Sequence, residues 1–194
     1  MSKLRTRKLV LGIGINDSDY NTQPIINGKQ VRCKYYNTWT NMLKRCYDPK
    51  YQAKHHTYIG CTVTEEWLIF SNFKAWMETQ DYEGKQLDKD ILVRGNRIYS
   101  PNTCIFVSNT INLLFTKSDA ARGEYKIGVS FKKENGKYLA QCQVNSKTKY
   151  LGLFLTEEEA YQTYKIFKTS HIRTIALEQS DSRLREAMLN YVVE

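Results

Sequence analysis

Residues 127–133, 138–144 and 149–154 form three runs of alternating polarity separated by turn signals, and that pattern leaves this stretch little choice but a three-stranded antiparallel sheet. The first turn is Glu134-Asn135-Gly136-Lys137. Asn-Gly between alternating runs is a strong hairpin signal, because both residues accept the positive φ that a tight turn between twisted strands needs. Asn145-Ser146-Lys147-Thr148 marks the second turn. Thr156, with Glu159 three residues on, then makes a capping box for a helix running from Glu157 toward Leu177. Ala160, Tyr164 and Phe167 share one face of that helix, so this face is expected to lie on the sheet.

Period-two alternation sorts the sheet into two faces. Val129, Phe131, Ala140 and Cys142 point one way and suit the helix. Ser130, Lys132, Leu139, Gln141 and Gln143 point the other way, onto a basic, amide-rich face that no helix is expected to cover. Such a face suits double-stranded DNA. Lys132 and Lys149 are the expected phosphate contacts, while Gln141 and Gln143 are of a type that reads base edges in a groove wide enough for strands. The charge balance agrees: 29 Lys and Arg against 20 Asp and Glu give a net charge of +9, which draws a chain toward a polyanion.

The order Gly128-Val129, Gly136-Lys137-Tyr138, Tyr150-Leu151-Gly152-Leu153-Phe154 and Glu158-Glu159-Ala160 resembles the plant ethylene-response (APETALA-type) DNA-binding domain. That resemblance implies DNA-facing positions at Ser130, Lys132, Tyr138, Gln143 and Tyr150. The plant domains carry Arg or Trp at several of them, so weaker sequence readout is expected here.

Upstream, Leu87-Asp88-Lys89-Asp90 reads as a strand ending in acids. A loop through Gly95-Asn96, a turn at Pro101, a second strand at Ile105-Phe106-Val107 and a helix carrying Asn112 follow. A divalent cation needs hard oxygen ligands from more than one element, with positions left open for water and phosphate, and Asp88 with Asn112 are candidates to supply them. The arrangement resembles the HNH family of phage and intron homing endonucleases, in the variant whose third signature residue is Asn. Tyr35-Tyr36-Asn37-Thr38-Trp39, Arg45-Cys46-Tyr47, Gly60-Cys61, Glu66-Trp67 and Phe70 extend the likeness over most of the chain.

By that resemblance Asp88 and Asn112 are metal ligands for one Mg²⁺ or Mn²⁺ per site, and Thr103 or Asn102 stabilises the loop. The catalytic histidine position is Lys89. Lysine is ordinarily protonated at neutral pH and a poor general base. His55 or His56, from a preceding loop, or Lys89 itself in a desolvated setting, are the candidate bases. The implied function is metal-dependent hydrolysis of DNA phosphodiester bonds, with a single site nicking one strand. The alternative is an HNH-derived DNA-binding protein in which Lys89 has replaced the base and cleavage is lost.

These readings predict an α+β chain with a basic N-terminal arm at 1–33 and an HNH-like ββα-metal nuclease domain at 34–117. A sheet-plus-helix DNA-binding domain at 118–178 and a C-terminal helix at 179–194 complete it. In the nuclease domain, residues 35–47 put Trp39, Met42, Leu43 and Cys46 on one helical stripe. A second helical stretch at 65–79, capped by Thr64, carries Trp67, Phe70, Phe73 and Met77, with a possible interruption at Ser71-Asn72. A basic joint over 116–123 leads to the second domain. Near the end, Asp181-Ser182 caps a helix whose Leu184, Ala187, Met188 and Tyr191 face either the chain's own second domain or a second copy. The sequence leaves oligomeric state open.

Cys33, Cys46, Cys61, Cys104 and Cys142 form an odd set with no Cys-x-x-Cys pair, which argues for reduced thiols and against zinc. No apolar run is long enough for a membrane span or an export signal, so a cytoplasmic location is expected, the host cytoplasm if the chain is phage-encoded. A phosphate-cradling Gly-rich loop is also missing, which argues against a nucleotide cofactor.

Overall fold

The computed structural model describes residues 8–116, 124–145 and 147–193 of the 194-residue chain. Residues 1–7 of the expected basic arm, 117–123 of the expected joint, and Ser146 lie outside the described residues. The chain is α+β and divides into two units, Met1–Ser108 and Asn109–Glu194.

The first unit begins with a small hairpin, β1 (Ile25–Ile26) and β2 (Lys29–Gln30). Helix α1 (Lys34–Tyr47) follows and buries Tyr36, Trp39, Met42, Leu43 and Cys46, the apolar stripe read from sequence with Tyr36 added. Asp48 caps the short α2 (Pro49–Gln52), its carboxylate accepting from Lys50 and Tyr51 N–H. After β3 (Thr62–Val63), a 3₁₀ turn (Glu65–Leu68) and α3 (Phe70–Glu78) bring Trp67, Phe70, Phe73 and Met77 onto α1, with the Trp39 indole N–H donating to the Trp67 carbonyl at 2.7 Å.

Two details of the second helical stretch differ from expectation. The interruption falls at Ile69, ahead of Ser71-Asn72, and Thr64 provides no side-chain cap. The cause is non-local. Ile15 bridges Ile69 in parallel, donating to the Leu68 carbonyl and accepting from Phe70 N–H, and this pulls Ile69 into extended backbone.

Strands β4 (Gln86–Asp88) and β6 (Ile105–Val107) pair antiparallel, with Leu87 opposite Phe106 and Asp88 opposite Ile105. Between them β5 (Ile98–Tyr99) pairs in parallel with β3. Leu87, Tyr99, Cys104 and Phe106 join the aromatic core, so the strand ends are held by packing on α1 and α3.

The second unit starts with α4 (Asn109–Phe115). Its sheet is a meander of β7 (Val129–Lys132), β8 (Lys137–Val144) and β9 (Lys147–Phe154), covered on one face by α5 (Glu157–Leu177). The capping box at Thr156 and Glu159 forms in both directions. Gly128 is required where α5 crosses the sheet: its φ is +78°, and a Cβ there would sit 2.1 Å from Tyr164 Cδ2. Helix α6 (Ser182–Leu189), capped by Asp181, docks on α5 of the same unit through Leu184 and Met188, and Tyr191 meets Phe115 edge-on. No described helix is long and apolar enough to cross a membrane.

Candidate functional site

Asp88 ends β4 and turns the chain. Its Oδ1 accepts from the N–H groups of Asp90 and Ile91 at 2.9 and 2.8 Å, a local bond pattern for which Asp is suited at a strand end. Burial pushes the Asp88 carboxyl above the ordinary carboxylate range, and the neighbouring Asp90 carboxylate raises it further. Two acids thus share one strand terminus, an arrangement that a cation relieves.

Lys89 points inward and is 7% exposed, with Nζ 3.1 Å from Asp90 Oδ2 and 5.9 Å from the Tyr99 ring centre. Arg45, from α1, completes this basic side of the cluster. One guanidinium nitrogen donates to the Leu87 carbonyl at 3.3 Å and to the Tyr99 hydroxyl at 3.4 Å, while the group lies over the Tyr58 ring. Cys46, Cys61 and Cys104 are also within electrostatic reach of Lys89. Burial pushes Cys46 and Cys104 up to about 12, and Cys61 upward as well, so these thiols stay protonated and are poor nucleophiles.

The loop after Asp88 is fastened by a residue that sequence reasoning passed over. Asn96 Nδ2 donates to the carbonyls of Lys89 at 2.6 Å and Ile98 at 2.7 Å, and its Oδ1 accepts from Ile98 N–H. Thr103 shares that work, donating to the Ile98 carbonyl at 2.8 Å and bonding to the Ser100 hydroxyl. Asn102 is exposed at the turn. Asn96 was visible as part of the Gly95-Asn96 loop, but an amide that bridges two carbonyls is not distinguishable there from an ordinary turn residue.

His55 and His56 are both exposed, on the segment between α2 and β3. The His55 ring leans on Tyr51 at 4.3 Å and reaches Tyr58 at 6.5 Å. Tyr58 in turn is within electrostatic reach of Arg45, Lys89 and Asp88. Asp88, Lys89, Asp90, Arg45, Tyr58 and Tyr99 therefore form one cluster, with His55 at its margin. Asn112 is half-buried in α4 of the second unit, where its carbonyl accepts from the Thr116 hydroxyl at 2.9 Å.

The oxygen donors of Asp88 and Asp90 are the hard ligands that Mg²⁺ or Mn²⁺ takes. Among the described residues no group of three or more His, Cys, Asp or Glu converges as a metal cage. A cation with few protein ligands that keeps most of its water is the type such a site suits.

In the second unit the uncovered face is built from register. Ser130 lies opposite Leu139, which lies opposite Leu153; Gln141 opposes Tyr150, and Gln143 opposes Thr148. The Gln143 amide donates to the Thr148 hydroxyl at 2.8 Å, which ties these side chains to one face. Tyr150 stands 62% exposed on it. Lys132 is directly opposite Lys137, and both are exposed. Like charges facing each other across a strand pair are destabilising, so this end of the face favours an anion. Lys137 was not among the DNA-facing residues expected from sequence, although the hairpin register implied by Asn135-Gly136 was enough to place it.

Two expected members of that face are on the other side. Ala140 pairs with Gly152 and Gln141 with Tyr150, so Leu151 is a bulge residue and the alternation of β9 inverts there. Lys149 consequently sits opposite buried Cys142, and its Nζ lies 4.7 Å from the Phe167 ring of α5. Tyr138 is the partner of Phe131, and its ring packs against Phe131 at 5.0 Å and Tyr125 at 5.6 Å, which places it with the helix-side aromatics.

No family model matches the chain, and no curated protein or solved structure matches it either.

Proposed function

We propose that the chain is a metal-dependent DNA endonuclease of the HNH-like, homing type, with a separate sheet for holding DNA. The observation that carries this reading is the pair of carboxylates at the end of β4, with Asp88 pushed up by burial and by Asp90, on a loop fastened by Asn96. Their oxygens are the donor type that a hard cation takes, and the Lys89 ammonium already pairs with Asp90. Asp88 would hold Mg²⁺ or Mn²⁺, which as a Lewis acid would polarise a scissile phosphate. Arg45 and Lys89 stand beside the acids, and His55 or His56 is the candidate to take a proton from water. The uncovered face, with Lys132, Lys137, Gln141, Gln143 and Tyr150, is proposed to hold duplex DNA by phosphate and base-edge contacts.

One observation favours the second reading, a DNA-binding protein without cleavage. Lys89, where the family has its catalytic histidine, is buried against Asp90. Incubation of the purified protein with supercoiled plasmid and Mg²⁺ or Mn²⁺ separates the two. Conversion to open circles that disappears in Asp88→Ala supports the nuclease, and a plasmid left supercoiled under both metals supports the binding protein.

A further inference from the structure

The Leu151 bulge that takes Lys149 off the uncovered face brings it to a second basic cluster. Lys149 Nζ stands over Phe167, and one turn along α5 the His171 imidazole lies parallel to the same ring, 16° between planes and 6.1 Å between centres. Lys168, on that side of the helix and half-buried, is within electrostatic reach of Cys142, the cross-strand partner of Lys149. Lys149 and His171 meet at the Phe167 ring, and Lys168 is within electrostatic reach of His171. None of the ion pairs among the described residues involves any of them.

The electrostatics follow from that crowding. Burial pushes the Lys168 ammonium down, and burial together with Lys168 and Lys149 pushes the His171 imidazole down. Across from them on β8 the Cys142 thiol is pushed up by burial and is uncharged. Two ammonium groups outside the ion pairs of the described residues and a nearby imidazole supply point charges and a ring N–H donor, the donor set that a tetrahedral oxyanion takes.

We propose that Lys149, Lys168 and His171 form a phosphate-binding site on the helix side of the second unit, on the opposite side of the sheet from the uncovered face. Phosphate is offered both by small phosphate monoesters and by the backbone of DNA, and the site stands whether or not the uncovered face holds DNA. An anion beside His171 favours the imidazolium, so bound phosphate raises its titration midpoint.

The test follows the His171 ring protons by NMR against pH in the full chain, with inorganic phosphate, with chloride at matched ionic strength, and with a short DNA duplex. Phosphate raises the midpoint and chloride does not. Lys168→Met keeps the aliphatic stem and weakens the phosphate response about tenfold, the scale of one hydrogen bond to a charged group. Lys149→Gln, at an exposed position of β9, does the same and removes only the ammonium over Phe167. A duplex that also raises the midpoint identifies the DNA backbone as the source, and one that does not, while inorganic phosphate does, identifies a small phosphate ligand. If phosphate leaves the midpoint where chloride does, or if both variants respond as the native chain does, the site is not a phosphate site.

Discussion

At Asp88 one carboxylate oxygen is committed to two backbone N–H groups while the group as a whole is pushed toward its neutral form. A carboxyl raised in the folded state is protonated there more readily than in the unfolded chain. Its effect on stability is therefore unfavourable at neutral pH, and the penalty shrinks as pH falls through the raised value toward the ordinary 3.8. Asp88→Asn keeps an oxygen for Asp90 and Ile91 N–H but carries no charge, so without added metal its melting temperature at pH 7 should exceed that of the native chain. Calorimetry repeated in acid should find the advantage gone, whereas an equal change at both pH values would mean that packing, not charge, had altered. The missing base is a second residue-scale question. His55→Ala should lower the nicking rate by about 10²-fold with DNA binding intact, the usual scale for general-base removal. If it and His56→Ala keep the native rate, a gain of rate in Lys89→His would assign the base to that position instead. Asp88 and Lys89 were legible in the sequence because they sit in a short motif with strand and loop signals on either side. Arg45, Tyr58 and Tyr99 were not, because they reach the cluster from α1, from the segment before β3 and from β5, and only the fold brings these together.

Elements whose signals are local behaved as their residues dictate. The Asn135-Gly136 turn, the Thr156 and Glu159 box and the apolar stripe of α1 are each specified within a few residues, and each forms. The departures come from pairing between segments. Ile15 breaks the second helical stretch at Ile69, and the bulge at Leu151 is a property of two strands together, invisible to period-two counting along β9 alone. That bulge decides which lysines face outward. On the DNA reading, Lys132→Ala and Lys137→Ala should each weaken binding to every duplex and reduce the salt slope by about one counterion. Gln141→Ala or Gln143→Ala should instead relax sequence preference, by about 1–3 kcal/mol per lost base contact. Filter binding at two salt concentrations on several duplexes distinguishes these effects, and a uniform loss from the glutamine variants would mean that they touch backbone only.

For the whole molecule, the net charge is +9, and the proposed function assigns cutting to the Asp88 cluster in Met1–Ser108 and DNA holding to the sheet in Asn109–Glu194. Long-range attraction to a polyanion is set by the total charge and changes little with one side chain. Cutting, by contrast, depends on groups placed where charge develops in the transition state. The sequence order places the two candidate sites in separate stretches. The direct measurement reads binding and nicking on one supercoiled plasmid, for the native chain and for Asp88→Ala, with Mg²⁺ or Mn²⁺ present. The account predicts equal affinity for the two proteins and nicking by the native chain alone. Nicking that persists in Asp88→Ala, or binding lost in parallel with it, would contradict the account.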